Sequence, residues 1–242
     1  MSQGGMLPVR SKESNDMKLH YHPVSTTSRA VTFFCADQGI PLDLVVVDLM
    51  TGEHVKEPYI SKINPSKQVP VLEDDGGFLL SECSAILKYI ADKNNSPTYP
   101  KDLRQRAKVN EVMDWFNTNL YREYGYHLVY PQVYDGHKRV QGVQEGTIDW
   151  GKTKSGFWVG VLENHWLAGG KKYVAGDSLT LADYLGSTIL SCGDLVGVSF
   201  EKFPNTDKWM KMMRARAGWS KTSEVHDGFA ASLKGKPFEA LG

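Results

Sequence analysis

The sequence predicts an α/β domain followed by an all-α domain, and three observations carry that prediction. Short apolar runs alternate with helical spacing up to about residue 93. A Pro/Asn/Ser-containing stretch, NNSPTYP at 94–100, then interrupts the pattern. Beyond it only helical spacing recurs. The chain has 242 residues, 41% hydrophobic and 11% aromatic, enough apolar material for one large or two ordinary domains.

Residues 1–16 are polar, contain Gly and Ser, and lack the apolar segment of a signal peptide; they read as a disordered lead-in. Residues 17–21 read as a strand. Residues 25–38 read as a helix, with Ala30, Val31, Phe33, Phe34 and Ala36 apolar and Gly39 suited to the left-handed position after its end. Residues 42–47 read as a buried strand, and 52–63 as irregular chain with room for a short helix. Val71-Leu72, the turn residues Asp74-Asp75-Gly76-Gly77 and the run Phe78 to Leu80 read as strand, hairpin and strand. The Val69–Pro70 bond before them is of the kind that adopts cis at low cost. A helix follows from Ser84 to about Lys93. This order predicts a small mixed sheet with helices packed on it.

In the second half, residues 102–124 carry Val109, Val112, Met113, Phe116 and Leu120 at helical spacing. Residues 147–167 do the same with Phe157, Val161, Leu162 and Trp166. Thr180 and Asp183 form a capping-box pair that opens another helix. Residues 205–217 place Trp209, Met212 and Met213 inward. No strand is expected here.

Lys+Arg and Asp+Glu are both 28, so the formal charge is zero and nothing draws the chain to nucleic acid or an anionic membrane. No apolar run approaches the ~18 residues of a membrane span. Cys35, Cys83 and Cys192 are odd in number, far apart and without metal-ligand spacing. They predict a reducing, cytoplasmic location and no metal. Glu82 stands at a helix entrance, an anionic acceptor beside unpaired N–H groups. That pairing suits a ligand with both an ammonium and a carboxylate, such as the amino-acid end of a small peptide. A hairpin followed by a capping acid accounts for the same residues.

Several segments, in this order and spacing, resemble the cytosolic glutathione transferases. They are Ser25-x-x-Ser28-Arg29-Ala30-Val31, Val47-Asp48-Leu49-x-x-Gly52-x-His54 and Ile63-Asn64-Pro65-x-x-x-Val69-Pro70-Val71-Leu72. Glu82-x-x-Ala85-Ile86-x-x-Tyr89, Tyr99-Pro100-x-Asp102-Leu103-x-x-Arg106-Ala107 and Gly176-Asp177 with Asp183 complete the set. The likeness spans about residues 17–220 and is to the theta class, including bacterial dehalogenase-related members. It implies a thioredoxin-like glutathione-binding domain at 17–98, a linker at 99–103 and an all-helical substrate domain at 104–242. It also implies glutathione as co-substrate, a homodimer, and conjugation of the glutathione thiolate to a small hydrophobic electrophile. A glutathione-dependent dehalogenase or peroxidase, and a non-catalytic carrier or interaction module, are the alternatives.

The resemblance also implies residue roles. A free thiol has a pKa of about 8.5. Lowering it by ~2 units needs roughly 2.7 kcal/mol of preference for the anion. One hydroxyl donating to the anion supplies ~1.5–3 kcal/mol and a helix N-terminus ~0.3–1. Ser25 is the implied donor; the competing readings are a plain N-cap at Ser25 and a tyrosine-type site at Tyr21. His54 is placed at the glycine end of glutathione, Gln68, Val69 and Pro70 along the peptide, and Glu82 at the γ-glutamyl ammonium. Cys83 occupies a position that is serine in the family and is a further implied glutathione contact, through its backbone N–H, since a thiol donates weakly. At a helix N-terminus its thiol has a route to a lowered pKa, against the plainer reading of a small buried filler. Trp115, Asn119 and Arg122 are the expected substrate contacts, the first two sharing a face by the i, i+4 rule. Arg29 and Asp183 are expected to be structural.

Overall fold

The computed structural model describes residues 17–242, so the lead-in expected at 1–16 lies outside the described residues. The first domain is built on a four-stranded sheet of order β2-β1-β3-β4. Strand β1 (Lys18–Tyr21) runs parallel to β2 (Asp43–Val46) and antiparallel to β3 (Val71–Asp74), which pairs with β4 (Phe78–Leu80). Leu19 sits between Leu44 and Leu72 in register. Leu19, Val71 and Leu72 are buried with the apolar residues of α1 (Thr26–Gln38) and α3 (Cys83–Lys93). Helix α1 stops where Gly39, at φ 67°, returns its N–H to Cys35, a conformation glycine adopts without a Cβ clash.

One strand differs from expectation. The run at 42–47 was expected to be buried, but Leu44, Val45 and Val46 are 48%, 38% and 56% exposed. The strand lies at the sheet edge, and an apolar run does not reveal whether a strand is central or peripheral. The irregular segment contains α2 (Tyr59–Lys62). Asp74 ends β3 and binds the sheet to α3, accepting from Tyr89 Oη at 2.5 Å and Lys93 Nζ at 2.6 Å.

The second domain begins at α4 (Leu103–Trp115), where Asp102 accepts from the Gln105 N–H at 2.9 Å. The helix does not stop at 124. Wide π turns at Phe116–Tyr121 and Tyr124–Val129 carry it into α5 (Tyr130–Val133). Helix α6 (Gln144–Val161) crosses this segment closely: a Cβ on Gly151 would lie 2.5 Å from the His127 carbonyl carbon. Helix α7 (Leu181–Ser191) is buried along its whole length. The Thr180–Asp183 capping box opens it, and Asp183 also accepts from Trp209 Nε1 at 3.0 Å. Trp209 belongs to α8 (Pro204–Arg214).

The last helix, α9 (Ala217–Leu233), was not anticipated, because its buried face mixes Trp219 and Leu233 with Gly218, Ser223 and His226. It packs on α1, as does α7, so the first helix of one domain is wedged into the other. Arg29, 1% exposed, donates to Ser191 Oγ at 2.9 Å and Ser223 Oγ at 3.4 Å across that junction. Burial pushes its guanidinium down to about 10. Asp37 ties the other end of α1 to Tyr184 (2.6 Å) and Arg216 (2.7 Å). Among the described residues no helix is long and apolar enough to cross a membrane.

Candidate active site

A cavity of about 870 Å³ opens between the two domains, at the start of α1 and the start of α3. That is ample room for a tripeptide and a small second ligand. The first-domain wall is made by four segments, at 22–27, 49–54, 64–70 and 81–84, that the sheet holds side by side. It brings together Ser25, His54, Gln68, Val69, Pro70, Glu82 and Cys83.

Ser25 is the N-cap of α1, in extended conformation, and its Oγ accepts from the Ser28 N–H at 3.3 Å. The same oxygen lies 3.3 Å from Thr27 Oγ1, which donates to the Val69 carbonyl at 3.2 Å. Capping uses a lone pair, and the Ser25 proton, directed to Thr27 Oγ1 over a long 3.3 Å contact, can turn to a stronger acceptor in the cavity, so the two readings of this residue are compatible. Tyr21 does not line the cavity, and burial raises its phenol further from ionisation.

Glu82 sits at the N-cap position of α3 with φ 67° and makes no capping bond. A left-handed glutamate is an uncommon conformation, of the kind held at ligand-binding turns. Its exposed carboxylate faces the cavity beside the first turn of α3. Behind it, Cys83 is 7% exposed and donates Sγ–H to the Thr27 carbonyl at 3.2 Å. Burial, with the Glu82 charge, pushes this thiol well up, the reverse of the lowered value a redox cysteine needs. Cys83 is a packing residue that ties α3 to the start of α1.

On the opposite side His54 turns a buried, unpartnered Nδ1 into the wall, and burial lowers its pKa. His22 joins it there, a lining residue that sequence reading missed. Its Nδ1 accepts from the Val24 N–H at 3.3 Å, so the neutral ring carries its proton on Nε2. The Gln68 carbonyl is held by Tyr59 Oη (2.7 Å) and Asn64 Nδ2 (3.0 Å), which fixes the Gln68–Pro70 backbone against the cavity.

The second-domain wall corrects the expected substrate contacts. Trp115 packs against Phe116, Trp158 and Trp166. Arg122 is 60% exposed and bonds Glu123, and Asn119 does not reach the cavity. The wall is formed by Asn117, Tyr121, Tyr126, Tyr130, Val133, Tyr134 and His137, with Phe229 from α9. The reason is helical phase. Asn117 stands two residues from Trp115, so the line 117, 121, 126, 130, 134 lies on the other side of the helix from 115/119, and its one step of five falls where the π turns add a residue and keep that side toward the cavity. That 4-5-4-4 spacing of Asn and Tyr was present in the sequence as a signal. Phe229 had none, because α9 itself was not foreseen.

Fold and cavity together define a thioredoxin-like domain with a hydroxyl-lined cleft, closed by a helical domain with an aromatic wall: the build of a thiol transferase. The family model "Glutathione S-transferase, N-terminal domain" matches residues 19–98, and "Glutathione S-transferase, C-terminal domain" matches 159–217. The chain is 33% identical over 220 residues to rat (Rattus norvegicus) glutathione S-transferase theta-2, covering 90% of this chain and 88% of the relative. To human (Homo sapiens) glutathione S-transferase theta-1 it is 32% identical over 228 residues, 92% of this chain and 91% of that one. Human glutathione transferase theta-2, in complex with glutathione and an unknown ligand, superposes with TM-score 0.80 at 29% identity over 93% of each chain. The human theta-class enzyme bound to the glutathione conjugate of 1-menaphthyl sulfate gives 0.79 at 32% identity, over 90% of this chain and 88% of that one. The chain belongs to the glutathione S-transferase family, and its relatives here are of the theta class.

Proposed function

We propose that this protein conjugates glutathione to a small hydrophobic electrophile, with Ser25 stabilising the thiolate. The observation that carries the reading is the convergence, in one cavity, of a helix-capping serine whose proton is held only by a long 3.3 Å contact to Thr27 and a glutamate at a second helix start that makes no capping bond. Glutathione lies with its γ-glutamyl ammonium at Glu82 and its peptide along the Val69 backbone. Its glycine carboxylate lies toward His54 and His22. Its sulfur comes to the N-terminus of α1, where the Ser25 O–H and the helix dipole favour the anion. The electrophile stacks on Tyr126 and Tyr134, and the thiolate attacks its carbon as the leaving group departs or the π bond opens. Holding the two reactants in contact supplies most of the acceleration. The protein works as a homodimer in the cytoplasm; three buried cysteines without a disulfide fit that reducing compartment.

Calorimetry with glutathione, followed by turnover on aryl halides, alkyl halides, epoxides and peroxides, tests the reading. Saturable binding with turnover on at least one class is expected. Binding without turnover on any of them would make the protein a carrier.

A further inference from the structure

We propose that Thr26 is a second hydroxyl donor to the bound thiolate, and that Tyr130 of the helical domain is the positioning residue that aims it. The inference rests on the glutathione reading above and concerns how this chain activates the thiol.

The argument is a count of protons. Tyr130 Oη donates to Thr26 Oγ1 at 2.8 Å. Each hydroxyl has one proton, so the 2.7 Å bond between Tyr121 Oη and Tyr130 Oη must be donated by Tyr121. The chain therefore runs in one direction, Tyr121 to Tyr130 to Thr26, and ends on a threonine that has accepted a bond and still holds its own proton. Burial raises both phenols well above their ordinary value, so both keep their protons through the neutral and mildly alkaline range.

Two acceptors compete for the Thr26 proton. One is the Tyr121 oxygen, which stands close to Thr26. The other is an anion in the cavity, which Thr26 lines together with Ser25. A hydrogen bond to an anion is about twice as strong as one between neutral groups, so a thiolate takes the proton. Donors aligned upstream strengthen the last one in the chain. Thr26 is 4% exposed, and water competes little for that proton. Ser25 is in the parallel situation, its proton facing only a 3.3 Å contact with Thr27 until an anion arrives. Consecutive residues at the start of α1 thus offer two hydroxyls to one sulfur. The second is oriented from the other domain, so thiol activation depends on the domains being docked.

The test is the thiolate absorbance of the glutathione complex against pH, with S-methylglutathione affinity measured beside it by calorimetry. Thr26→Val should raise the bound thiol's pKa by about one unit, the effect of one such hydrogen bond. Thr26→Ser should restore the wild-type curve. Tyr130→Phe should shift the curve in the same direction by less. S-methylglutathione, which has no thiol, should bind all three variants as it binds the wild type. A Thr26→Val curve that coincides with wild type overturns the inference. So does a Thr26→Ser curve shifted as far as Thr26→Val. A Tyr130→Phe curve unchanged from wild type removes the positioning role. Wild-type protein that binds neither glutathione nor S-methylglutathione overturns the glutathione reading itself, an outcome distinct from the others.

Discussion

At Ser25 the hydroxyl oxygen and the hydroxyl proton face different partners: the oxygen accepts from the Ser28 N–H, and the proton goes to Thr27 Oγ1 at 3.3 Å, beside the cavity. Substitution can separate the two roles. Ser25→Ala removes cap and donor together, so ~1 kcal/mol of stability should go with the chemistry. Ser25→Gly keeps most of the stability and loses the donor. In either variant the pKa of bound glutathione should rise by ~1–2 units. Turnover at neutral pH should fall by roughly ten- to a hundredfold and recover in alkali. Tyr21→Phe should leave the thiolate titration unchanged; if it moves the curve while Ser25→Ala does not, the assignment passes to the tyrosine. Glu82 offers a second residue-scale test. Glu82→Gln keeps the shape and removes the charge, and calorimetry should show glutathione binding weakened by at least ~1.5 kcal/mol. An unchanged affinity would remove Glu82 from the site.

Among the elements, the β3–α3 connection holds the Val69–Pro70 backbone and Glu82 at fixed separation, and Asp74 is its clamp. Burial raises the Asp74 carboxyl, but the Lys93 ammonium, the Tyr89 hydroxyl and the Asp75 N–H outweigh it, and the net value lies below the ordinary one. A carboxylate depressed in the folded state adds stability above its unfolded pKa of about 4 and loses it as the pH falls through the folded value. Asp74→Asn should therefore cost ~1–3 kcal/mol at neutral pH and flatten the loss of stability in acid. Denaturant titrations at pH 7 and at stepped acid pH measure both. Parallel acid profiles for the two proteins would show that Asp74 is not the clamp. The π turns after α4 act at the same scale, because they set which side chains the helical domain shows to the cavity.

For the whole molecule, the exposed apolar residues on the edge strands matter most: Leu44, Val45 and Val46 on β2, Phe78 and Leu79 on β4. An open apolar edge invites association, and a closed two-fold pair is the commonest way soluble chains cover one. Sedimentation equilibrium at micromolar concentration should give twice the 27.0 kDa of one chain. A mass near that of the single chain would exclude the homodimer.

Local chemistry made much of this protein readable from its residues. The Gly39 stop, the Gly76-Gly77 hairpin, the Thr180–Asp183 box and the α1 and α3 helices follow from propensities and caps acting over a few positions. Ser25, His54, Gln68, Val69, Pro70 and Glu82 were named together through the family resemblance, and the fold places all six on one cavity. What depended on packing between distant segments was not legible. Whether the strand at 43–46 was central or peripheral rested on the sheet order. The cavity face of the α4–α5 helix rested on two π turns, one of them in the segment that α6 crosses through Gly151. The existence of α9 rested on its contact with α1 rather than on its own apolar pattern. The burial of Cys83, which decides its chemistry, rested on its packing against the start of α1. The physical reason is common to all four: the deciding contact partners lie far apart in the chain, and only tertiary packing, within a domain or between the two, brings them within reach.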